Sequence, residues 1–268
     1  MAPCHPRGLG VFMTFKRHST PASASSTFTP LWRGACLPSA LENVVHLDFP
    51  TSFDVGSVFL RPQEFYESEF EDIRGSFFTW EAFMDRYATA KGGFTYFTDW
   101  GGFNLPDVTL RAFFERFGHD LTEKEQALKQ QLEPWLAQEG RFYVIATCGG
   151  KPDLIRHEEA HALFYLNPSY QADQTENVSL LRPQSRENAI ECLKDMGYHE
   201  SVWDDEIQAY GATSTYQWLQ SSWAWSRLEI QRFRDVFQNY KTPVKKKLSP
   251  GKNSVNKNVS KKSKARKA

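Results

Sequence analysis

His157-Glu158-Glu159-Ala160-His161 is the stretch of this chain whose residue types and spacing could do chemistry. Residues four apart lie on one face of a helix, one turn above the other. Two imidazoles so placed can both bind one zinc ion (Zn2+). A catalytic zinc site keeps one coordination position open for water, and a carboxylate beside the first histidine can take a proton from it. The pattern makes His157 and His161 candidate ligands and Glu158 the candidate general base. The bland alternative is a pair of satisfied histidines and a solvated carboxylate on a half-buried helix.

Such a motif needs a helix held by a core, and the flanking sequence supplies the signals. Arg141 to Thr147 is rich in aromatic and β-branched residues and reads as a strand. Cys148-Gly149-Gly150-Lys151-Pro152 ends it as a turn. Asp153 is the expected helix N-cap, and Leu154 to Leu166 runs on without Gly or Pro until Asn167-Pro168. A strand feeding a buried helix with HExxH resembles the local architecture of zincin metallopeptidases. The resemblance implies a zinc-activated water attacking a carbonyl, with Glu158 as base.

Three protein ligands are needed, so one must come from elsewhere. The metzincin pattern would place Gly at 164 and His at 167, where this chain has Phe164 and Asn167. Gluzincins take a Glu from a later helix, and the matching position here is Glu206 in Trp203-Asp204-Asp205-Glu206-Ile207-Gln208-Ala209-Tyr210. Ser201 is the expected cap of that helix. The gluzincin helix usually carries an Asp four residues after the Glu, where this chain has Tyr210. Tyr210 shares a face with Glu206 and is a candidate oxyanion donor. His199 is a rival third ligand or a second electrophile, and Asp205 a weaker rival. Glu159 reads as a surface or salt-bridged carboxylate. A wider set of uncharacterised HExxH proteins is similar over residues 59 to 216. Its landmarks are Arg61-Pro62-Gln63-Glu64-Phe65-Tyr66-Glu67-Ser68, Phe94 to Trp100 and the two helices just named, which implies one coherent domain and no known substrate.

The expected function is a zinc-dependent hydrolase of peptides or proteins, with residues 141–147 offered as a strand to which an extended substrate adds. Two readings from other classes stay open. One is a non-catalytic zincin-like binding module. The other is an accessory protein that contacts a polyanion such as nucleic acid through its tail.

The zero net charge averages three unlike regions. Residues 1–41 carry four basic and no acidic residues, residues 42–240 carry 17 basic and 32 acidic, and residues 241–268 carry 11 basic and no acidic. An acidic domain at 42–240 is thus expected between a disordered basic leader and a disordered Lys-rich tail. The tail's lysine clusters suit a polyanion or a nuclear address. Four cysteines without CxxC spacing fit a reducing, intracellular setting, cytoplasmic or nuclear, with organellar import as the alternative reading of the leader. No run of 18 apolar residues is present, so no membrane span is expected.

The remaining pattern reads as α+β: a helix-rich zincin-like domain with a small sheet preceding the HExxH helix. Strands are expected at Asn43–Phe49, Val55–Leu60 and Phe94–Phe97. Helices are expected at Thr79–Ala90, Asp107–Phe117 behind Pro106, Thr122 to about Gln138 behind a capping box, Ser185–Met196, and about Val202–Tyr240 with a break near Ser221-Ser222.

Overall fold

A computed structural model describes residues 34–241, and the fold is α+β. Four strands form one mixed sheet: β1 (Ala35–Leu37), β2 (Val44–Phe49), β3 (Gly102–Pro106) and β4 (Tyr143–Cys148), in the order β1-β2-β4-β3. β4 runs parallel to β2 and antiparallel to β3. Being central, β4 is covered on both faces, which is why Tyr143 to Cys148 is an unbroken buried run rather than an alternating one.

Alternation along the strands divides the residues between two cores. Val45, Leu47, Phe49, Phe103, Leu105, Val144, Ala146 and Cys148 face one side. There they pack against α1 (Ser52–Glu67), α2 (Trp80–Lys91), α3 (Tyr96–Asp99), α4 (Asp107–Arg116) and α5 (Glu123–Leu136). Val44, Tyr143 and Ile145 face the other side and meet Ala162, Tyr165 and Leu166 of α6 (Pro152–Leu166), the HExxH helix. The far face of α6 then packs into a helical layer. That layer is α7 (Pro168–Ser179), α8 (Pro183–Met196), α9 (Trp203–Thr213), α10 (Tyr216–Ser222) and α11 (Arg227–Lys241), with a 3₁₀ turn at Glu200–Val202 before α9. No helix among the described residues is long and apolar enough to cross a membrane.

Several expectations are corrected. Residues 1–41 are not wholly a leader: Ala35–Leu37 pairs with β2 as an edge strand. Val55–Leu60 is helix, not strand. Its apolar residues Val55, Val58 and Phe59 recur at helical spacing, and Thr51 caps α1 by accepting from the Asp54 amide at 3.1 Å. Phe94–Phe97 is not a strand either; Tyr96 begins the short α3, and the strand lies at Gly102–Pro106. Pro106 ends that strand and Asp107 opens α4. Asp153 is not the cap of α6: Lys151 occupies that position, Pro152 is first in the helix, and Asp153 sits in its acid-favouring first turn. Asn167, expected as a stop, also caps α7, accepting from the Ser169 and Tyr170 amides at 3.1 Å. The last helical region breaks at 214–215 and again at 223–226. Residues 1–33 and 242–268, and with them the basic clusters of the tail, lie outside the described residues.

One buried ion pair locks α1 to α5. Arg61 donates Nε to Glu125 Oε1 at 2.8 Å and Nη2 to Glu125 Oε2 at 2.5 Å, and its Nη1 reaches Asp120 Oδ2 at 2.7 Å. Glu125 is fully buried and also closes the capping box with Thr122. Removing the guanidinium would strand that carboxylate in a dry interior. Arg61→Ala is therefore expected to cost about 3–5 kcal/mol, read as a lowered midpoint in urea denaturation.

Candidate metal centre

The turn from β4 into α6 is made by Gly149 and Gly150, both left-handed at φ 70° and 59°. L-residues with a Cβ rarely hold that conformation, so the glycines let the helix start directly after the strand. His157 and His161 then emerge from the second and third turns of α6, and Glu206 from the first turn of α9 packed across it.

The three side chains converge. His157 Nε2 and His161 Nε2 are 3.3 Å apart, His161 Nε2 lies 3.5 Å from Glu206 Oε1, and His157 Nε2 lies 3.7 Å from Glu206 Oε2. Zinc bonds of about 2.0–2.1 Å at tetrahedral angles put neighbouring ligand atoms about 3.3–3.4 Å apart. The triad therefore has nearly the edge lengths of one face of a zinc tetrahedron. These donors form the one group of its kind among the described residues.

Each imidazole is set to offer Nε2. The Thr213 hydroxyl donates to the Ala209 carbonyl at 2.6 Å, so its oxygen accepts the His157 Nδ1 proton at 3.3 Å. His161 Nδ1 lies 2.9 Å from Asp205 Oδ1. That same carboxylate oxygen accepts Gln208 Nε2 at 2.9 Å, and Tyr170 fixes Gln208 by donating to its Oε1 at 2.7 Å. A proton on Nδ1 leaves the Nε2 lone pair free for a cation.

The charges also call for a cation. Glu206 is 2 % exposed, and its Oε2 is buried with no hydrogen-bond partner among the described residues. Burial pulls the His161 pKa down, but Asp205 and then Glu206 outweigh it and hold the imidazole well above its ordinary range. A buried carboxylate without compensation is costly. In this centre a proton on His161 supplies positive charge that a divalent ion would supply better. The donor set, its spacing and the orphaned oxygen all fit zinc.

Glu158 lies beside the triad and is 3 % exposed. Burial raises its pKa above the usual carboxylate value, opposed by His157 and His161. Its Oε2 accepts Asn104 Nδ2 at 3.0 Å, and Asn104 Oδ1 accepts the Tyr143 hydroxyl at 2.6 Å. The amide of Asn104 is thus fixed from behind and can present only its donor to Glu158. At Gly102, a Cβ would run into Glu158 Oε1 and would come within 2.7 Å of Leu154. Gly102 is what lets β3 approach Glu158 so closely.

The other candidates are placed differently. Asp205 is not among the three convergent donors; its carboxylate lies on the Nδ1 side of His161. The Tyr210 ring packs on His157 with centroids 4.6 Å apart, and its hydroxyl is 3.4 Å from that of Tyr198. His199 is outside the triad: its Nδ1 accepts the Ser201 amide at 3.2 Å and caps the 3₁₀ turn, while Ser201 lies inside that turn and does not cap α9, whose N-cap is Val202 without a side-chain bond. Glu159 is buried and paired with Lys241 of α11. β4 cannot take an added strand, because β2 and β3 fill both its sides; the strand beside the site with an outward edge is β3. Sequence reasoning missed Asn104, Tyr143, Thr213 and Tyr198, which carry no motif. Gln63 and Glu67, in the α1 landmark, had a signal: polar residues spaced i, i+4 at the end of a mostly buried helix.

Asp205→Asn is expected to weaken zinc binding by about 10–100-fold without unfolding the chain, since it removes the charge that fixes His161. Competition with a chromophoric chelator measures this.

Comparisons of the chain with protein-family models, with curated proteins and with solved structures find no match.

Proposed function

We propose that this chain is a zinc-dependent hydrolase acting on amide bonds of peptides. The observation that carries the reading is the convergence of His157, His161 and Glu206 at near-tetrahedral spacing, with a buried carboxylate, Glu158, alongside.

His157, His161 and Glu206 would hold the ion. A zinc ion there would lower the pKa of water toward about 7 and polarise a substrate carbonyl. Glu158 accepts the proton of the attacking water and returns it to the departing amine. Its raised pKa suits both halves of that task, because a base nearer neutrality gives the proton back more readily. Asn104 keeps Oε2 engaged and so leaves Oε1 as the working oxygen. Burial holds the Tyr198 and Tyr210 hydroxyls protonated well past neutral pH, so either can donate to an oxyanion. His199, occupied at the turn, is the weaker electrophile.

The test is incubation of the purified, zinc-loaded chain with a mixture of peptides from two to twelve residues and N-acylated amino acids, read by mass spectrometry. New termini that vanish with a chelator and return with zinc are expected. One zinc per chain but no chelator-sensitive cleavage in any member would overturn the hydrolase and leave a metal-binding module.

A further inference from the structure

The outward edge of β3 is the place beside the site where an extended substrate could pair, and α1 has closed it. The Asp107 amide donates to the Phe142 carbonyl at 3.0 Å across the start of the β3–β4 ladder. Opposed residues in an antiparallel pair alternate between bonded and non-bonded positions. With Leu105 opposite Val144 and Phe103 opposite Ala146, the backbone groups of Gly102, Asn104 and Pro106 therefore point away from β4. Pro106 has no N–H to offer. The Asn104 N–H is already donated to Gln63 Oε1 at 3.3 Å. Gln63 is 7 % exposed, and its own Nε2 donates to Glu67 Oε1 at 2.5 Å, one turn along α1. A side-chain amide thus occupies the outward edge as a substrate peptide group would, accepting from the strand with its oxygen. Of these three residues, Gly102 alone has both an outward N–H and an outward C=O without a partner among the described residues.

Access is correspondingly narrow. The His161 and Glu206 side chains are 2 % and 3 % exposed, against 16 % for His157, so the triad meets solvent over His157.

Resting on the hydrolase reading above, we propose that Gln63 bars strand addition at β3 and limits the site to compact amides. Such a substrate presents a terminal or single-residue amide over His157 instead of lying as an extended polypeptide along the sheet. An extended chain would have to displace Gln63 and break both of its hydrogen bonds.

Isothermal titration of the zinc-loaded protein with two hydroxamates tests this: acetohydroxamate, and a hydroxamate carried on a tri-alanine chain. In the wild type the peptide extension is expected to improve affinity by less than about threefold. In Gln63→Ala it is expected to improve affinity by about tenfold or more, while acetohydroxamate shifts by less than about threefold. A wild-type protein that already binds the extended probe about tenfold more tightly overturns the proposal without recourse to any variant. The proposal is equally overturned if a folded Gln63→Ala, checked by its thermal midpoint, gains nothing. Failure of acetohydroxamate to bind the zinc-loaded wild type would mean that no coordination position is open, and the hydrolase reading would fall together with this one.

Discussion

Glu158→Gln is expected to lower turnover by about 10²- to 10⁴-fold, the range that a positioned general acid–base contributes, while one zinc per chain remains bound. The substitution changes charge and basicity but hardly changes volume. Asn104 holds the existing carboxylate at one oxygen only, so a glutamine whose carbonyl turns to Asn104 keeps that hydrogen bond. Its –NH₂ then stands where the proton acceptor had been. Glu158 is not among the donor triad, so metal content has no reason to fall. Parallel measurement of zinc by atomic absorption and of cleavage by mass spectrometry checks both halves. Unchanged hydrolysis would reject the assigned base; loss of zinc as well would mean that Glu158 supports the ligands rather than the reaction.

The second large effect belongs to Glu206. Glu206→Ala removes one of three donors and the charge opposite both imidazoles, and zinc affinity is expected to fall by more than about 10²-fold, beyond the loss typical of an orienting partner. The acidity of the centre adds a pH signature. His161 has a raised pKa in the folded, metal-free chain, because Asp205 and Glu206 outweigh the effect of burial. Burial raises Glu67, helped by Glu206, and raises Glu158 as well. Groups whose folded pKa is raised stabilise the fold below their unfolded values and lose that contribution as pH rises through the folded ones. The metal-free wild type should therefore begin to lose stability above the ordinary carboxylate range, through Glu67 and Glu158, and lose more above the ordinary imidazole range, through His161. Zinc, binding only the folded state, should flatten the profile. Thermal midpoints taken across pH 6–9, with and without the ion, decide this. A wild-type profile that stays flat without zinc would refute the proton-for-metal exchange.

His157, Glu158 and His161 were legible in the sequence because helical spacing puts the two imidazoles on one face with the carboxylate beside them, whereas Glu206 was reached through the gluzincin resemblance. Glu206 was legible for a further reason: acidic residues crowd the first turn of its helix, between a turn and an apolar run. The supporting residues were not. Asn104 and Tyr143 meet Glu158 only through the pairing of β3 with β4, and no local pattern announces a strand as short as Gly102–Pro106. Its neighbour Phe94–Phe97 had more of the strand composition, yet Tyr96 is buried in the aromatic core from a helical turn. Val55–Leu60 misled for a related reason. Inside a core, β-branched and aromatic residues serve a buried helix as well as a strand, and only the spacing of the following Phe65, with the cap at Thr51, separates the two. Asp205 was weighed as a ligand because it neighbours Glu206. On a helix, adjacent residues diverge by about 100°, which turns Asp205 to the back of His161 while Glu206 faces its front.

The parallel ladder between β2 and β4 bears on how this protein reaches its native state. Besides the nearby edge strand β1, residues 44–49 pair in parallel with 143–148, so a long loop must close before the central ladder exists. Such non-local pairing slows folding, because the entropy of closure is lost before the ladder returns any stability. Glu206 and Lys241 arrive later still during synthesis. A nascent chain ending shortly after His161 would hold all four strands but would expose the far face of an apolar helix, with neither the α7–α11 layer nor Glu206 present. Refolding from denaturant should accordingly be slow and aggregation-prone for fragments that stop short of α11.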